Sequence, residues 1–141
     1  FLDLFGGTGG VGIEAISRGA KHVVFIDNSI KSINVLRKNL QALNIKDSIE
    51  VFNTDYRTAI NKLYTNGRLF DIVFVDPPYN TGIAQNVLEQ ISENIILKDN
   101  GIIVVEHDLK DPMPDKVGCL NKYRDKRYGS TMLSFYSTRE V

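Results

Sequence analysis

Short apolar runs alternate with longer amphipathic stretches along most of this chain, and the alternation predicts strands and helices in turn. "FLDLF" at 1–5, "HVVFID" at 22–27, "SIEVFN" at 48–53, "FDIVFVD" at 70–76 and "IIVVE" at 102–106 read as strands. Their near-continuous Val and Ile content suits burial on both faces of a sheet. Between them, helices are predicted over 10–18, about 28–43, 55 to about 64, and about 83–91. In the second helix Ile30, Ile33, Leu36, Leu40 and Leu43 recur at helical spacing on one face. Gly19 closes the first helix, Asn66-Gly67 marks a turn, and Asp99-Asn100-Gly101 predicts another turn ahead of the fifth strand.

Strands alternating with helices imply right-handed crossovers and a parallel sheet covered on both faces. After Glu106 the pattern changes to a polar, proline-containing connection, "DLKDPMPDK", and then to two strands expected to turn near Tyr128-Gly129. The fold class is therefore α/β: a Rossmann-like, three-layer arrangement with a mostly parallel seven-stranded sheet ending in an antiparallel hairpin. In such sheets ligands bind beyond the carboxyl ends of the strands. The polar residues placed there are Asp3 with the glycine loop after it, Asp27, Asp55, the stretch Asp76 to Tyr79, and Glu106.

Composition narrows the picture modestly. At 141 residues the chain suits one domain over its whole length, residues 1–141, and no apolar run is long enough to cross a bilayer. A single cysteine, Cys119, excludes an intramolecular disulfide and leaves a cysteine zinc site without ligands, so a reducing cytoplasm is expected and no metal. Cys119 itself is expected to be a buried small residue. His22 and His107 stand isolated, with no partners suggesting a metal or a catalytic pair. Seventeen basic residues balance seventeen acidic ones, which neither demands nor excludes nucleic acid. Phe1 begins inside a strand, so the sequence is expected to be a piece of a longer chain.

The loop "DLFGGTGGVG" carries Gly7-x-Gly9-x-x-Gly12, the spacing of a dinucleotide fingerprint, with Asp27 placed to bind ribose hydroxyls. On spacing alone a nicotinamide dinucleotide passes. Asp3 opposes it, because a carboxylate pointing into the same crevice repels a pyrophosphate and favours a cation. S-adenosylmethionine has no phosphate and carries a sulfonium and an ammonium group. The run Asp3-Leu4-Phe5-Gly6-Gly7-Thr8-Gly9 resembles the first motif of S-adenosylmethionine-dependent methyltransferases, which implies cofactor contacts from Asp3, Phe5, Gly7, Thr8 and Gly9. Asp27, with Asn28 beside it, could hold the ribose, or Asp27 could cap the following helix. The resemblance implies that Asp55 accepts from the adenine amino group and that Tyr56 lines the adenine pocket; Asp55 is also a candidate N-cap.

Asp76-Pro77-Pro78-Tyr79 at the end of the fourth strand names the chemistry. It matches the Asp/Asn-Pro-Pro-Tyr/Phe motif of methyltransferases that act on nitrogen. An exocyclic amino group on a base is a poor nucleophile because its lone pair is delocalised into the ring. A carboxylate of Asp76 and the carbonyl of Pro77 can accept its two hydrogens and turn the lone pair toward the methyl group. The prolines fix that carbonyl, and Tyr79 offers a face for a base taken out of its stack. Orientation and electrostatics then carry the reaction, without a covalent enzyme intermediate.

With both motifs in place the chain resembles the RsmD family, which methylates the exocyclic N2 of a guanine in small-subunit (16S) ribosomal RNA. The resemblance runs from "LDLFGGTGGVGIEAISRGA" through "FVDPPY" to "KRYGSTMLSFY". It implies S-adenosylmethionine as cofactor, and ribosomal RNA or an assembling small subunit as partner. It also implies a cytoplasmic monomer, and an N-terminal segment of the family that is not in this sequence. A DNA adenine or cytosine amino-methyltransferase is the alternative, and a nicotinamide-binding oxidoreductase domain a more distant one. Lys122, Arg124 and Lys126 alternate along a predicted strand and so project from one face, as an RNA phosphate patch or a solvated edge. Glu14 could buttress the glycine loop or serve only its helix, and Glu106 could face the site or be structural.

Overall fold

A computed structural model describes residues 1–78 and 81–140. Tyr79, expected to stack on the target base, lies outside the described residues. The elements follow in the order β1 (Leu2–Asp3), α1 (Gly10–Ser17), β2 (Val23–Asp27), α2 (Ile30–Ala42), β3 (Ile49–Asn53), α3 (Tyr56–Thr65), β4 (Phe70–Val75), α4 (Ile83–Glu93), β5 (Leu97–Asp108), β6 (Lys116–Val117), β7 (Leu120–Tyr128) and β8 (Thr131–Ser137). They form one sheet in the order β3-β2-β1-β4-β5-β8-β7-β6. Strands β1 to β5 pair in parallel, and β5-β8, β8-β7 and β7-β6 are antiparallel. The expected parallel sheet with a terminal hairpin is present, but it has eight strands rather than seven. The extra one, β6, is a two-residue strand laid on the edge of β7 by the proline-containing connection.

Two apolar layers flank the sheet. On one face α3 and α4 pack Ala59, Ile60, Leu63, Val87, Leu88 and Ile91 against Leu4, Ile26, Val73, Val75, Ile103 and Val105. On the other, α2 contributes Ile33, Leu36 and Leu40 against Val23 and Phe25, with Ile13 and Ile16 of α1 beside them. The apolar stripe predicted for α2 is narrower than expected, since Ile30 and Leu43 are exposed. The helix runs from Ile30 to Ala42, so these two residues fall at its first position and at its C-cap, beyond the reach of the sheet.

The turn expected at Asp99-Asn100-Gly101 does not form. The strand β5 continues through it, and the pairing with β4 jumps from Phe70↔Leu97 to Ile72↔Ile102. Turn-forming residues here make a wide bulge without reversing the chain. Gly101 permits it, because a Cβ there would stand 2.8 Å from the Phe70 carbonyl oxygen. The bulge lies at the amino end of β5, so the carboxyl ends of β4 and β5 stay aligned, and those ends build the site.

Candidate active site

The loop between β1 and α1 crosses the carboxyl edge of the sheet, and its glycines have separate duties. Gly12 sits against β2: a Cβ there would meet the Phe25 ring at 2.2 Å, so glycine is required for α1 to pack on the sheet. Gly9, at φ +96°, is the N-cap of α1, and its Cβ would fall 2.3 Å from Leu36 Cδ1. Gly7 also has a left-handed φ, +56°, yet a Cβ on it would meet nothing within 4 Å. Packing explains Gly9 and Gly12. Gly7 instead presents bare backbone to open space, which is the arrangement a closely approaching ligand uses.

Asp27 ends β2, and both its oxygens hold backbone. Oδ2 accepts from the Gly7 amide at 2.8 Å, and Oδ1 accepts from the Ser29 amide at 2.8 Å. The N-cap of α2 is Ser29, whose hydroxyl accepts from the Ser32 amide, so Asp27 is not the cap. It braces the glycine loop and lines the cleft. Asp55 is the N-cap of α3: Oδ1 accepts from the Thr58 amide at 2.9 Å and Oδ2 from the Thr58 hydroxyl at 2.8 Å. Those bonds hold its carboxyl below the ordinary carboxylate value. The capping role fixes the carboxylate at the cleft rim.

These residues surround one cleft of about 440 Å³, lined by Leu4, Phe5, Asp27, Asn28, Asp55, Tyr56, Asp76, Pro77 and Pro78, among others. Phe5 and Tyr56 form an aromatic wall, their ring centroids 5.8 Å apart and tilted by 43°. Of the expected site residues, Phe5 just after β1, Asp27 and Asn28 at the end of β2, Asp55 and Tyr56 at the start of α3, and Asp76 to Pro78 after β4 thus converge, whereas Asp3, Gly7 and Gly9 are not in the cleft lining. Thr8 is exposed at the loop tip and outside the cleft lining, where its carbonyl accepts from Asn39 Nδ2.

Asp3 departs from expectation. It does not point freely into the crevice; it is 1% exposed, beneath the glycine loop, paired with Phe25 of β2 and Phe74 of β4. The Gly12 amide is within hydrogen-bonding reach of its carboxyl, but Oδ2 has no partner among the described residues. Burial, reinforced by the charge of Asp27 and opposed by the Gly12 amide, pushes the Asp3 carboxyl up to about 7. An unsatisfied buried carboxylate oxygen is costly and calls for a cation or a donor. An ammonium group such as the one S-adenosylmethionine carries has that chemistry. The residues present fit the cofactor.

At the end of β4 the Asp76 carboxyl is also raised, to about 7. Desolvation is the largest cause, followed by the charge of Glu106, a hydrogen bond with it, and the charge of Asp3. Glu106, near the end of β5, is outside the cleft lining but lines the neighbouring cavity with Pro77 and Pro78. Behind it stands a group that isolated reading of the sequence missed. His107 is buried, its Nδ1 lies 3.1 Å and 2.9 Å from the carbonyl oxygens of Asp108 and Asp111, and its Nε2 lies 2.7 Å from Ser134 Oγ. The Ser134 hydroxyl reaches Asp125 Oδ1 at 2.6 Å. This chain pins the segment after β5, which with Pro77, Pro78 and Glu106 walls a smaller cavity of about 50 Å³. His22 likewise has a partner, Glu50 at 2.6 Å, far from the site.

Other sequence candidates separate from the cleft. The Glu14 carboxylate accepts from Arg18 Nε at 2.8 Å, one turn along α1. Cys119 is exposed rather than buried, because it sits in the turn between β6 and β7, where its amide donates to Ser92 Oγ. Among the described residues no group of three or more His, Cys, Asp or Glu could hold a metal ion, and no helix is long and apolar enough to cross a membrane.

The family model described as conserved hypothetical protein 95 matches residues 1–137. The chain belongs to this family. It is the RsmD family: a Haemophilus influenzae relative named ribosomal RNA small subunit methyltransferase D is 38% identical over 79% of this chain and 58% of its own length. YlbH of Bacillus subtilis, named as a candidate rRNA methyltransferase, is 37% identical over 98% of this chain and 75% of its own. The chain thus spans between just over half and three quarters of these two relatives. A solved candidate methylase from Haemophilus influenzae superposes with a TM-score of 0.83 at 32% identity, covering 99% of this chain and 86% of that one. The fold is that of the methyltransferases, and members of the RsmD family carry methyltransferase names.

Proposed function

We propose that this chain is the catalytic domain of an S-adenosylmethionine-dependent ribosomal RNA methyltransferase that modifies the exocyclic N2 of a guanine in the small-subunit (16S) RNA. The observation that carries the reading is the convergence of Asp76-Pro77-Pro78 with Asp27, Asp55 and Tyr56 on one cleft, with the unsatisfied carboxylate of Asp3 buried near Asp27 and Asp76. The names of the relatives support ribosomal RNA as substrate class, and the tetrapeptide supports an amino nitrogen as the acceptor.

When bound, S-adenosylmethionine supplies a methyl group on a cationic sulfur. The chain does the rest. Asp3 offers a buried anion to the methionine end, Asp27 offers its remaining lone pairs to the ribose hydroxyls, and Phe5, Asp55 and Tyr56 border the adenine. An ionised Asp76 and the Pro77 carbonyl accept the two hydrogens of the guanine amino group, which localises its lone pair. Because the amino nitrogen must reach the end of β4, the base enters unstacked.

Incubating the protein with labelled S-adenosylmethionine and undermethylated small subunits, then mapping the label, tests the reading. Label at a guanine N2 is the expected result, and Asp76→Ala is expected to abolish it while S-adenosylhomocysteine affinity stays within about threefold. Label on another atom, or turnover retained by Asp76→Ala, would overturn the assignment.

A further inference from the structure

The terminal hairpin sorts its charges by face. Residues directly opposite one another in an antiparallel pair share a face, so the register fixes where each side chain of β7 stands. After an irregularity between Lys122 and Arg124, Arg124 pairs with Phe135, Asp125 with Ser134, Lys126 with Leu133, Arg127 with Met132 and Tyr128 with Thr131. The irregularity breaks the alternation expected for Lys122, Arg124 and Lys126. Lys122 turns to the face of Tyr136, where it binds Asp125 at 3.0 Å and Asp115 at 3.3 Å. Arg124 and Lys126 take the other face, together with Tyr128.

On that face β7 presents cations without acids, and the acids that share the face, Glu106 and Asp108, belong to β5, two strands away. Among the described residues neither Arg124 nor Lys126 has a carboxylate within ion-pair distance, and the one acid of β7, Asp125, is turned away. Their charged groups lie on aromatic rings instead: Arg124 over Phe135 at 5.5 Å, and Lys126 over Tyr128 at 5.1 Å. Tyr123 tilts against Phe135 with centroids 6.1 Å apart, and Tyr123 and Tyr128 are both exposed. Cations that keep their charge available, interleaved with open rings, are what a single-stranded nucleic acid engages through its phosphates and base faces.

The face is also continuous with the candidate active site. Glu106 pairs with Leu133, which pairs with Lys126, so Lys126 stands in the same row of the sheet as Glu106, whose neighbour Val105 pairs with Val75, the residue before Asp76. Two interstrand spacings separate Lys126 from Glu106, about 10 Å. We propose that the face formed by Tyr123, Arg124, Lys126 and Tyr128 docks the RNA strand flanking the target base, with the cations on its phosphates and the tyrosines against its bases. This rests on the proposed RNA substrate and assigns where the RNA lies.

The probe is a fluorescein-labelled transcript of 16S RNA, titrated by anisotropy against the chain over a range of salt concentrations. Arg124→Glu/Lys126→Glu is expected to weaken binding about tenfold or more and to flatten the salt dependence by roughly one to two charges' worth. The milder Arg124→Gln/Lys126→Gln should do the same in part, and S-adenosylhomocysteine affinity by calorimetry should hold in both. Arg127→Glu, on the opposite face, should leave RNA affinity within about twofold. Equal losses from Arg127→Glu, or unchanged RNA affinity in the double variants, would overturn the assignment of this face. Loss confined to assembled subunits, with the transcript still bound normally, would place the contact on a ribosomal protein and overturn it too. A wild-type chain that binds S-adenosylhomocysteine but no transcript would instead refute the RNA substrate on which the proposal rests.

Discussion

Asp3→Asn should make the ligand-free protein more stable at neutral pH while weakening its hold on the cofactor. The Asp3 carboxyl is 1% exposed, has one oxygen without a partner, and is raised from 3.8 to about 7, mainly by burial. Its folded-state value is above its unfolded one, so between about pH 4 and pH 7 the native protein binds more protons than the unfolded chain. Stability therefore falls as pH rises through that window. The full cost of an ionised Asp3, reached above pH 7, is on the order of 4 kcal/mol. Asparagine keeps the shape and removes the charge, but its amide hydrogens face the place of the orphan oxygen and return about 1–3 kcal/mol. The net expectation is a gain of about 1–3 kcal/mol at pH 8. Urea unfolding followed by circular dichroism at pH 5, 6, 7 and 8 reads it as a difference between the two proteins, which cancels groups they share. Calorimetry with S-adenosylmethionine should show the wild-type affinity climbing toward pH 8 and the variant's weaker and less steeply pH-dependent, the remaining slope belonging to Asp76. A variant less stable than wild type at pH 8, or one with the same pH slope and undiminished cofactor affinity, would refute the account of Asp3 as an anion awaiting a cation.

Four further outcomes follow from the site's geometry. Gly12→Ala, whose Cβ would meet the Phe25 ring at 2.2 Å, should cost about 1–3 kcal/mol of stability in chemical denaturation. Gly7→Ala meets no neighbour, so it should cost only about 1 kcal/mol of left-handed strain yet lower cofactor affinity, and a reversed ranking would contradict the division of labour between these glycines. In the proposed reaction an ionised Asp76 accepts an amino hydrogen, so the methylation rate should fall as pH drops through about 7. Glu106→Gln removes a charge that raises the Asp76 carboxyl, so this acid limb should move to lower pH, and an unmoved limb would separate Glu106 from the reaction.

What could be read from the sequence was what short-range chemistry decides. Buried Val and Ile runs located β2 to β5, glycine and capping residues bounded α1 and α3, and strand ends named the cleft residues Asp27, Asp55 and Asp76 before their geometry was known. Features set by pairing between distant segments were not legible. The bulge over 98–101 looks like a turn because its residues are turn formers, and only the register with β4 shows that the chain does not reverse. The irregularity before Arg124 leaves no mark in the composition, yet it moves Lys122 to the opposite face from Arg124. His107 seemed isolated because its partner Ser134 is 27 residues away, brought near by the β5-β8 pairing. Asp3 was recognised as the awkward residue for a pyrophosphate, but its depth depends on β2 and β4 closing over β1 from either side.

The crowding of acids at the strand ends sets a condition on any RNA substrate. Asp3, Asp27, Asp76 and Glu106 stand close enough that Asp27 raises Asp3, and Glu106 and Asp3 raise Asp76. A field of that sign draws a cationic cofactor inward and repels a phosphate backbone. The chain has no excess positive charge to overcome the repulsion, since its basic and acidic residues balance. Attraction to RNA must therefore be local, and it must lie outside the cleft. A nucleobase is uncharged, so it can cross into the acidic cleft alone once it leaves its stack, provided its phosphates remain on cations nearby. The row that joins Glu106 to Lys126 across Leu133 supplies that separation over about 10 Å. For the proposed substrate, base extrusion would follow from the charge distribution as well as from the reach of Asp76: the part of such a substrate that the acidic cleft admits is the uncharged base that carries the amino group.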